Sequence, residues 1–480
     1  MPFATFRDAL RRPDILSHLR DGLIGDDILI PSPFGTQRLL YADYTASGRA
    51  LRQVEDFVTE QVLPYYANSH TEASFCGAAM TRMREAARAV IADLVGCGPD
   101  SSVIFTGSGA TSGINRLVGL LDISGRVGRG GRVVVLIGPY EHHSNILPWR
   151  ESGAEVVEVN EAPEGGPDAD ALQRALNEAR DADLVIAAFS AASNVTGILT
   201  DTDAVTRQVK ASGALAIWDY AAGAPYLPVD MGQGAAAKDA IVFSPHKFAG
   251  GPGASGLLVV RDTLPRKAQP TAPGGGSVRF VSPWGHQYSD SLAAREEAGT
   301  PNVIGDIRAA LALMVKEAVG TDVIADRDRA LRARALQAWA DMPELELLGN
   351  SAANNALPIF SFRVRAPGGG YIHHQLFTRM LSDVHGIQAR GGCACAGPYA
   401  HRLLGLDQQM SQQIVLRLDD GHELDRPGWV RLNLSYLHSD AQVDRILDGV
   451  ASLARQAPDL QAHYAGEDAT ARFRPLEAAE

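Results

Sequence analysis

Residues 184–220 read LVIAAFSAASNVTGILTDTDAVTRQVKASGALAIWDY. Two short apolar runs, LVIAAF and LAIWDY, flank an amphipathic segment, DTDAVTRQVKASG, which is the pattern of a strand–helix–strand unit. The same rhythm extends in both directions. VIFTG, RVVVLIG and AEVVEV precede it as candidate strands, and AIVFSP and GLLVVR follow; TSGINRLVGLLD and DADALQRALNEA read as further helices. Such alternation predicts an α/β fold whose large domain is built on a mostly parallel, doubly wound sheet.

Beyond this core the pattern changes. Residues 262–303 are rich in Gly and Pro and read as a long functional loop. A helical stretch follows from about Ile304 to Ala340, and strands such as PIFSFRVR and WVRLNLSY point to a smaller α+β C-terminal domain. The expected division is an N-terminal segment 1–40, a large domain 41–305 and a small domain 306–480, with APGGG at 366–370 as a loop or a partner-facing turn and a frayed tail after about Ala465.

The balance of 44 basic against 56 acidic residues gives a net charge of −12. With no Lys/Arg-rich run, this argues against nucleic acid and anionic membrane as partners. No apolar run approaches the ~20 residues of a membrane span, and the start carries no secretory apolar region. The chain has four cysteines, which fits a reducing cytoplasm. Cys76 and Cys97 lie far upstream of Cys393 and Cys395, and there is no CxxC, so a four-ligand zinc site is not expected. The stretch RGGCACAGP (390–398) is therefore read as carrying a working thiol.

An open parallel sheet binds its ligand at the carboxyl ends of its strands. After VIFTG comes SGATSGIN, a small-residue loop opening a helix; Ser108 and Thr111 suit it to a phosphate, although a plain strand-to-helix turn has the same sequence. The glycines at 251, 253 and 256 match a dinucleotide fingerprint only in letters, because they run into a strand rather than a helix. After RVVVLIG stand Glu141, His142, His143 and Ser144. Asn194, after LVIAAF, serves a ligand or its own turn. LAIWDY ends in Asp219, a carboxylate that needs a cationic or hydrogen-bonding partner when buried. AIVFSP leads to Ser244, His246 and Lys247; such a lysine either reaches solvent or, desolvated beside cations, forms a Schiff base. A phosphate cradle, an acid, a flat imidazole and a lysine form the set that pyridoxal 5'-phosphate requires.

At this point the chain resembles the class V aminotransferases, most closely their cysteine desulfurase and selenocysteine lyase branch. The matching stretches, spread over about residues 38–440, are YADYTASG, YANSH, GATSGIN, EHHSNILPW, SNVTG, SPHKFAGGPGASG, EAGTPNV and RGGCACAGP. The resemblance implies that Lys247 is the Schiff-base lysine, that Asp219 pairs with the pyridine nitrogen and that His142 stacks on the ring. Thr111, Ser244 and His246 would hold the phosphate. Thr300 would reach the phosphate of the other subunit of a homodimer. Asn194 would lie near the ring oxygen or the substrate carboxylate, and Arg390 would grip that carboxylate. Cys395, not Cys393, falls at the catalytic position. The implied reaction converts L-cysteine to L-alanine and leaves a persulfide on Cys395, for delivery to a sulfur-acceptor protein.

The chain departs from that pattern at Ala222, where a glutamine is common, at Cys393 and Ala394, where histidines precede the catalytic cysteine, and at Thr71, where an arginine is frequent. The lost glutamine and the altered cysteine loop favour a second reading, a transaminase or C–S/β-eliminating lyase on another amino acid. A third, a non-catalytic sulfur-relay or redox protein, has no use for Lys247 and Asp219. Trp149, Trp284 and Trp339 are read as packing residues, His373 and His374 as surface or core histidines on a helix, and Cys76 and Cys97 as buried small hydrophobes.

Overall fold

The computed structural model describes residues 2–68 and 72–476, which form two compact units. The first comprises residues 1–24, 47–193 and 199–324; the second comprises 25–46, 194–198 and 325–480. The expected N-terminal segment is thus shared between both units, and the later boundary falls at 324/325 instead of 305/306. Thr71 and the end of YANSH lie outside the described residues.

All seven expected strands are present in the first unit: β1 (Ser101–Gly107), β2 (Val133–Ile137), β3 (Glu155–Glu158), β4 (Leu184–Ser190), β5 (Leu215–Asp219), β6 (Ala240–Phe243) and β7 (Gly256–Arg261). They form one sheet in the order β1-β7-β6-β5-β4-β2-β3. Neighbours from β6 to β3 pair in parallel, while β7 runs antiparallel to both β1 and β6. The central strands are buried along their length, which is why they read as unbroken apolar runs.

The helices between them are set by local chemistry. Asp168 and Asp201 cap α2 (Ala169–Glu178) and α3 (Thr202–Ala211), each carboxylate accepting from a backbone N–H in the first turn, at 2.6 and 2.9 Å. Loss of such a cap costs about 1 kcal/mol. On α1 (Gly109–Leu120), Ile114 and Leu117 follow helical spacing and join Ile104, Val242 and Leu258 of the sheet in one apolar core.

Residues 262–303 are not one loop. They hold an antiparallel hairpin, β8 (Val278–Ser282) with β9 (Gly285–Tyr288), and a short helix Leu292–Glu296. Trp284, expected to pack, is 92% exposed in the turn between these two strands. Trp149 and Trp339 are buried as expected. The long helical stretch is two helices, α4 (Val303–Val319) and α5 (Thr321–Trp339), separated by Gly320 at φ +85°. Glycine reaches that conformation without the steric penalty of a side chain.

The second unit contains a sheet of β10 (Leu345–Leu347), β11 (Ile359–Arg365), β12 (Tyr371–Ile372), β13 (Arg390–Gly392) and β14 (Trp429–Asn433). Helices α6 (His374–His385), α7 (Gly397–Leu404) and α8 (Asp440–Leu460) complete its frame. Phe362, Phe377, Met380, Leu432 and Leu453 lie at its core. The tail expected to fray instead forms a hairpin, Tyr464–Glu467 with Arg472–Pro475. Cys76 and Cys97 are half-buried, not buried. His373 caps α6 and stacks on His374 with ring centroids 4.4 Å apart.

Candidate active site

The first unit gathers six of the expected residues around the carboxyl ends of its strands. The glycines there set close backbone approaches. A Cβ on Gly109, whose φ is +66°, would stand 2.8 Å from Ser244 Oγ and 3.0 Å from His246 Cε1. One on Gly256 would stand 2.5 Å from the backbone of Gly109. Ser244 Oγ accepts the Ala110 N–H at 2.9 Å, tying the end of β6 to the start of α1. Thr111, two residues into α1, is joined to Ser144 by a 2.7 Å hydroxyl contact.

Ser144 also orders His142. Its N–H donates to His142 Nδ1 at 3.1 Å, and its hydroxyl lies 3.0 Å from the same nitrogen. Nδ1 therefore accepts, and the neutral ring carries its proton on Nε2. Beside it, the carboxylate of Glu141 accepts from Ser190 N–H (2.8 Å), Ser190 Oγ (2.6 Å) and Asn145 Nδ2 (2.6 Å). Burial pushes the Glu141 acid up to about 7 against these donors, and the nearby charge of Asp219 adds to the rise.

Asp219 ends β5 at 5% exposure. Burial raises its pKa, while the Ala221 N–H, donating at 2.7 Å, and the charge of Lys247 act in the opposite direction. His246 is held below its ordinary value by burial and by the same lysine. Lys247 ends the single turn Pro245–Lys247 after β6, its N–H donating to Ser244 O at 3.0 Å. Thr300, also in this unit, is exposed ahead of α4.

The second unit holds Asn194, Arg390 and Cys395. Arg390 begins β13 and donates through Nε to Asp43 Oδ2 at 3.0 Å. The other Asp43 oxygen accepts from Arg431 at 3.0 Å, and Arg431 also donates to the Asn194 carbonyl. Arg431 is 4% exposed, and its Nε has no hydrogen-bond partner among the described residues. Neither Asp43 nor Arg431 was singled out from the sequence. The available signal was the alternation in β14, where Trp429, Arg431 and Asn433 share one face and Val430 and Leu432 the other.

Cys395 is exposed and Cys393 half-buried. Cys393–Ala396 forms a turn closed by Ala396 N–H donating to Cys393 O at 3.2 Å, with φ of +53° at Ala394 and +54° at Cys395. Two successive left-handed residues closing such a bond make a type I′ turn, at a cost of about 1–2 kcal/mol for each non-glycine residue. Asn194 Nδ2 donates to the Ala394 carbonyl at 2.8 Å and holds the turn; its Oδ1 is buried without a hydrogen-bond partner among the described residues. Helix α7 follows, beginning at Gly397. Among the described residues, no group of three or more His, Cys, Asp or Glu side chains is arranged to hold a metal ion. No described helix is long and apolar enough to cross a membrane.

The sheet order and the residues at its carboxyl edge define an α/β protein of fold type I. The profile of the family described as "Aminotransferase class-V" matches residues 40–446. A cysteine desulfurase from Pectobacterium atrosepticum is 31% identical over 376 residues, covering 77% of this chain and 87% of that protein. A probable cysteine desulfurase from Streptomyces coelicolor is 28% identical over 372 residues, with coverages of 76% and 85%. Among solved structures, the apo cysteine desulfurase of Thermococcus onnurineus NA1 superposes with a TM-score of 0.70 at 24% identity, over 87% of this chain and 95% of that one. The S-sulfonic acid form of CsdA from Escherichia coli gives 0.68 at 22%, over 95% and 99%. At these identities the structures speak to the fold. The chain belongs to the class V aminotransferase family.

Proposed function

We propose that this protein is a pyridoxal-phosphate-dependent enzyme of cysteine desulfurase type, releasing L-alanine from L-cysteine and keeping the sulfur on Cys395. The observation that carries the reading is the stretch 390–396, which presents a guanidinium suited to an amino acid's carboxylate and, five residues on, an exposed thiol.

The residues fit the cofactor by their own chemistry. Asp219 is a buried carboxylate offset by one N–H and a lysine charge, the surroundings in which a protonated ring nitrogen is a suitable partner. A Cβ on Gly109 would press on both Ser244 and His246, so a glycine is what lets these two side chains approach the start of α1, the helix that carries Thr111. Lys247 would hold the cofactor covalently, Asp219 its ring nitrogen, His142 its face, and Thr111, Ser244 and His246 its phosphate. Thr300 would serve the phosphate of a second subunit in a cytoplasmic homodimer. When bound, pyridoxal phosphate withdraws electrons from the substrate Cα and makes its proton acidic.

The rest is work for the chain. Arg390 and Asn194 orient the carboxylate of L-cysteine. Lys247 takes the Cα proton. The Cys395 thiolate attacks the substrate sulfur, forming an S–S bond as the C–S bond breaks, and the carbon skeleton leaves as alanine once reprotonated. The sulfur held on Cys395 is then available to an acceptor protein.

The test is incubation of purified protein with L-cysteine, quantifying alanine and locating a persulfide by mass spectrometry, with Lys247→Ala as control. Alanine with a Cys395 persulfide, both lost in the control, is the expected result. A yellow protein that forms no alanine would overturn the desulfurase assignment. It would favour the transaminase or lyase reading, toward which buried Ala222, apolar where the family often has glutamine, already leans.

A further inference from the structure

We infer that Cys393 is a resolving thiol for Cys395, and that the pair discharges sulfur as hydrosulfide while closing a transient Cys393–Cys395 disulfide. The inference rests on the proposed function for the origin of the sulfur, and on the turn for the rest.

The two cysteines occupy the first and third positions of the type I′ turn Cys393–Ala396. Residues two apart lie at most about 7 Å apart even in an extended chain, and the reversal at Ala394 and Cys395 shortens that. The Cα separation therefore enters the range of about 4.4–6.8 Å that a disulfide tolerates. In an extended chain a bridge between residues two apart is out of reach, and this chain is not extended at Ala394. The Asn194 amide holds the Ala394 carbonyl at 2.8 Å, which fixes the backbone between the two thiols. Cys395 is the exposed member and receives sulfur from outside; Cys393 is half-buried behind it. No third metal-type ligand joins them among the described residues, which leaves thiol chemistry as the use of the pair.

The step balances. A Cys393 thiolate attacks Cys395 Sγ in the persulfide, the new Cys393–Cys395 S–S bond forms, and the bond from Cys395 Sγ to the outer sulfur breaks. The outer sulfur leaves as hydrosulfide, taking the electron pair of that bond. The two cysteines are thereby oxidised and the outer sulfur reduced. A dithiol reductant then attacks the bridge, returns both thiols and becomes a disulfide itself. A bridge in so small a ring is strained and hence readily reduced, which suits a step that must reset each cycle.

The experiment loads Cys395 in two ways. Full-length holoenzyme is treated either with L-cysteine or, independently of catalysis, with inorganic polysulfide; it is then desalted without reductant, assayed for sulfide and digested with trypsin. The peptide spanning residues 391–402 contains both cysteines. Expected in wild type is that peptide two hydrogens lighter, bridged internally, with one sulfide released per bridge. In Cys393→Ser and Cys393→Ala the persulfide stays on Cys395 and sulfide release falls at least tenfold, with unfolding midpoints checked for both variants. A wild-type persulfide as long-lived as that of the variants overturns the inference. If polysulfide-loaded protein forms the bridge but L-cysteine yields no alanine, the function of the pair stands and the desulfurase reading fails.

Discussion

Arg390 and Arg431 stand directly opposite each other on the antiparallel strands β13 and β14, and a single carboxylate, Asp43, bonds them both. Like charges in facing positions repel, so Asp43 is what makes this register tolerable. The two arginines are not equivalent. The Arg431 side chain is 5% exposed and that of Arg390 52%.

The first prediction is a split between stability and binding. Asp43→Asn strands a buried guanidinium and is expected to cost about 3–5 kcal/mol. Arg390→Ala removes a half-exposed pair, worth about 1 kcal/mol or less, and on the proposed function raises the KM for the amino acid. Urea midpoints of the two variants check this; equal destabilisation would show that Arg390 shares the structural role of Arg431.

Asp219→Asn provides the second. The substitution keeps size and removes charge, so the fold should survive while the partner of a protonated ring nitrogen is lost. A fall of about 10²–10³-fold in kcat is expected, the scale seen when one preorganised electrostatic group is removed. Alanine formation from L-cysteine measures it, and an unchanged kcat would detach Asp219 from the chemistry.

Why these residues differed in legibility follows from range. Lys247, Asp219 and His142 stood out as candidates because each lies at or shortly after the end of an apolar strand, where an open parallel sheet binds its ligand. The strands themselves were visible because burial on both faces removes polar residues from them. The link between Asp43 and Arg431 spans 388 positions, and no local pattern encodes such a partner. The turn at Ala394 and Cys395 was invisible because neither is a glycine, the usual mark of a left-handed backbone. Trp284 misled for a related reason: its size suggests burial, but the hairpin that carries it has residues exposed along both strands.

The third prediction concerns Glu141, on which three donors from Ser190 and Asn145 converge. A carboxylate only accepts; an amide presents two hydrogens. In Glu141→Gln one of them is pointed at the Asn145 amide, which is already committed to Ala188 O at 3.1 Å, while Asn145 Oδ1 holds the Trp149 indole at 3.0 Å. A loss of about 1–3 kcal/mol is expected from the unsatisfied donors, read as a lower unfolding midpoint at pH 8. A midpoint unchanged from wild type would mean that the network re-pairs around the amide.

Lys316 supports the last prediction. It lies buried on α4, where Nζ donates to Ala224 O at 2.7 Å and to Leu227 O, in the loop that follows Asp219. Burial without a carboxylate partner among the described residues lowers its pKa to about 7. In the unfolded chain the same amine holds its proton to about 10.4. Between these values the unfolded state binds more protons than the folded one, so this group makes stability rise with pH, by up to about 1.4 kcal/mol per unit. Below pH 7 both states are protonated and the contribution is flat. Lys316→Met removes the titration and leaves two carbonyls unpaired. The stability difference between wild type and variant should therefore move in favour of wild type as pH climbs from 7 to 10, with the neutral amine still donating at the upper end. Urea titrations of both proteins at three pH values across that window measure the trend. A constant difference would mean that Lys316 is charged in the folded protein throughout, its ammonium stabilised by the two carbonyls and by the Phe248 ring, whose centroid lies 5.7 Å away.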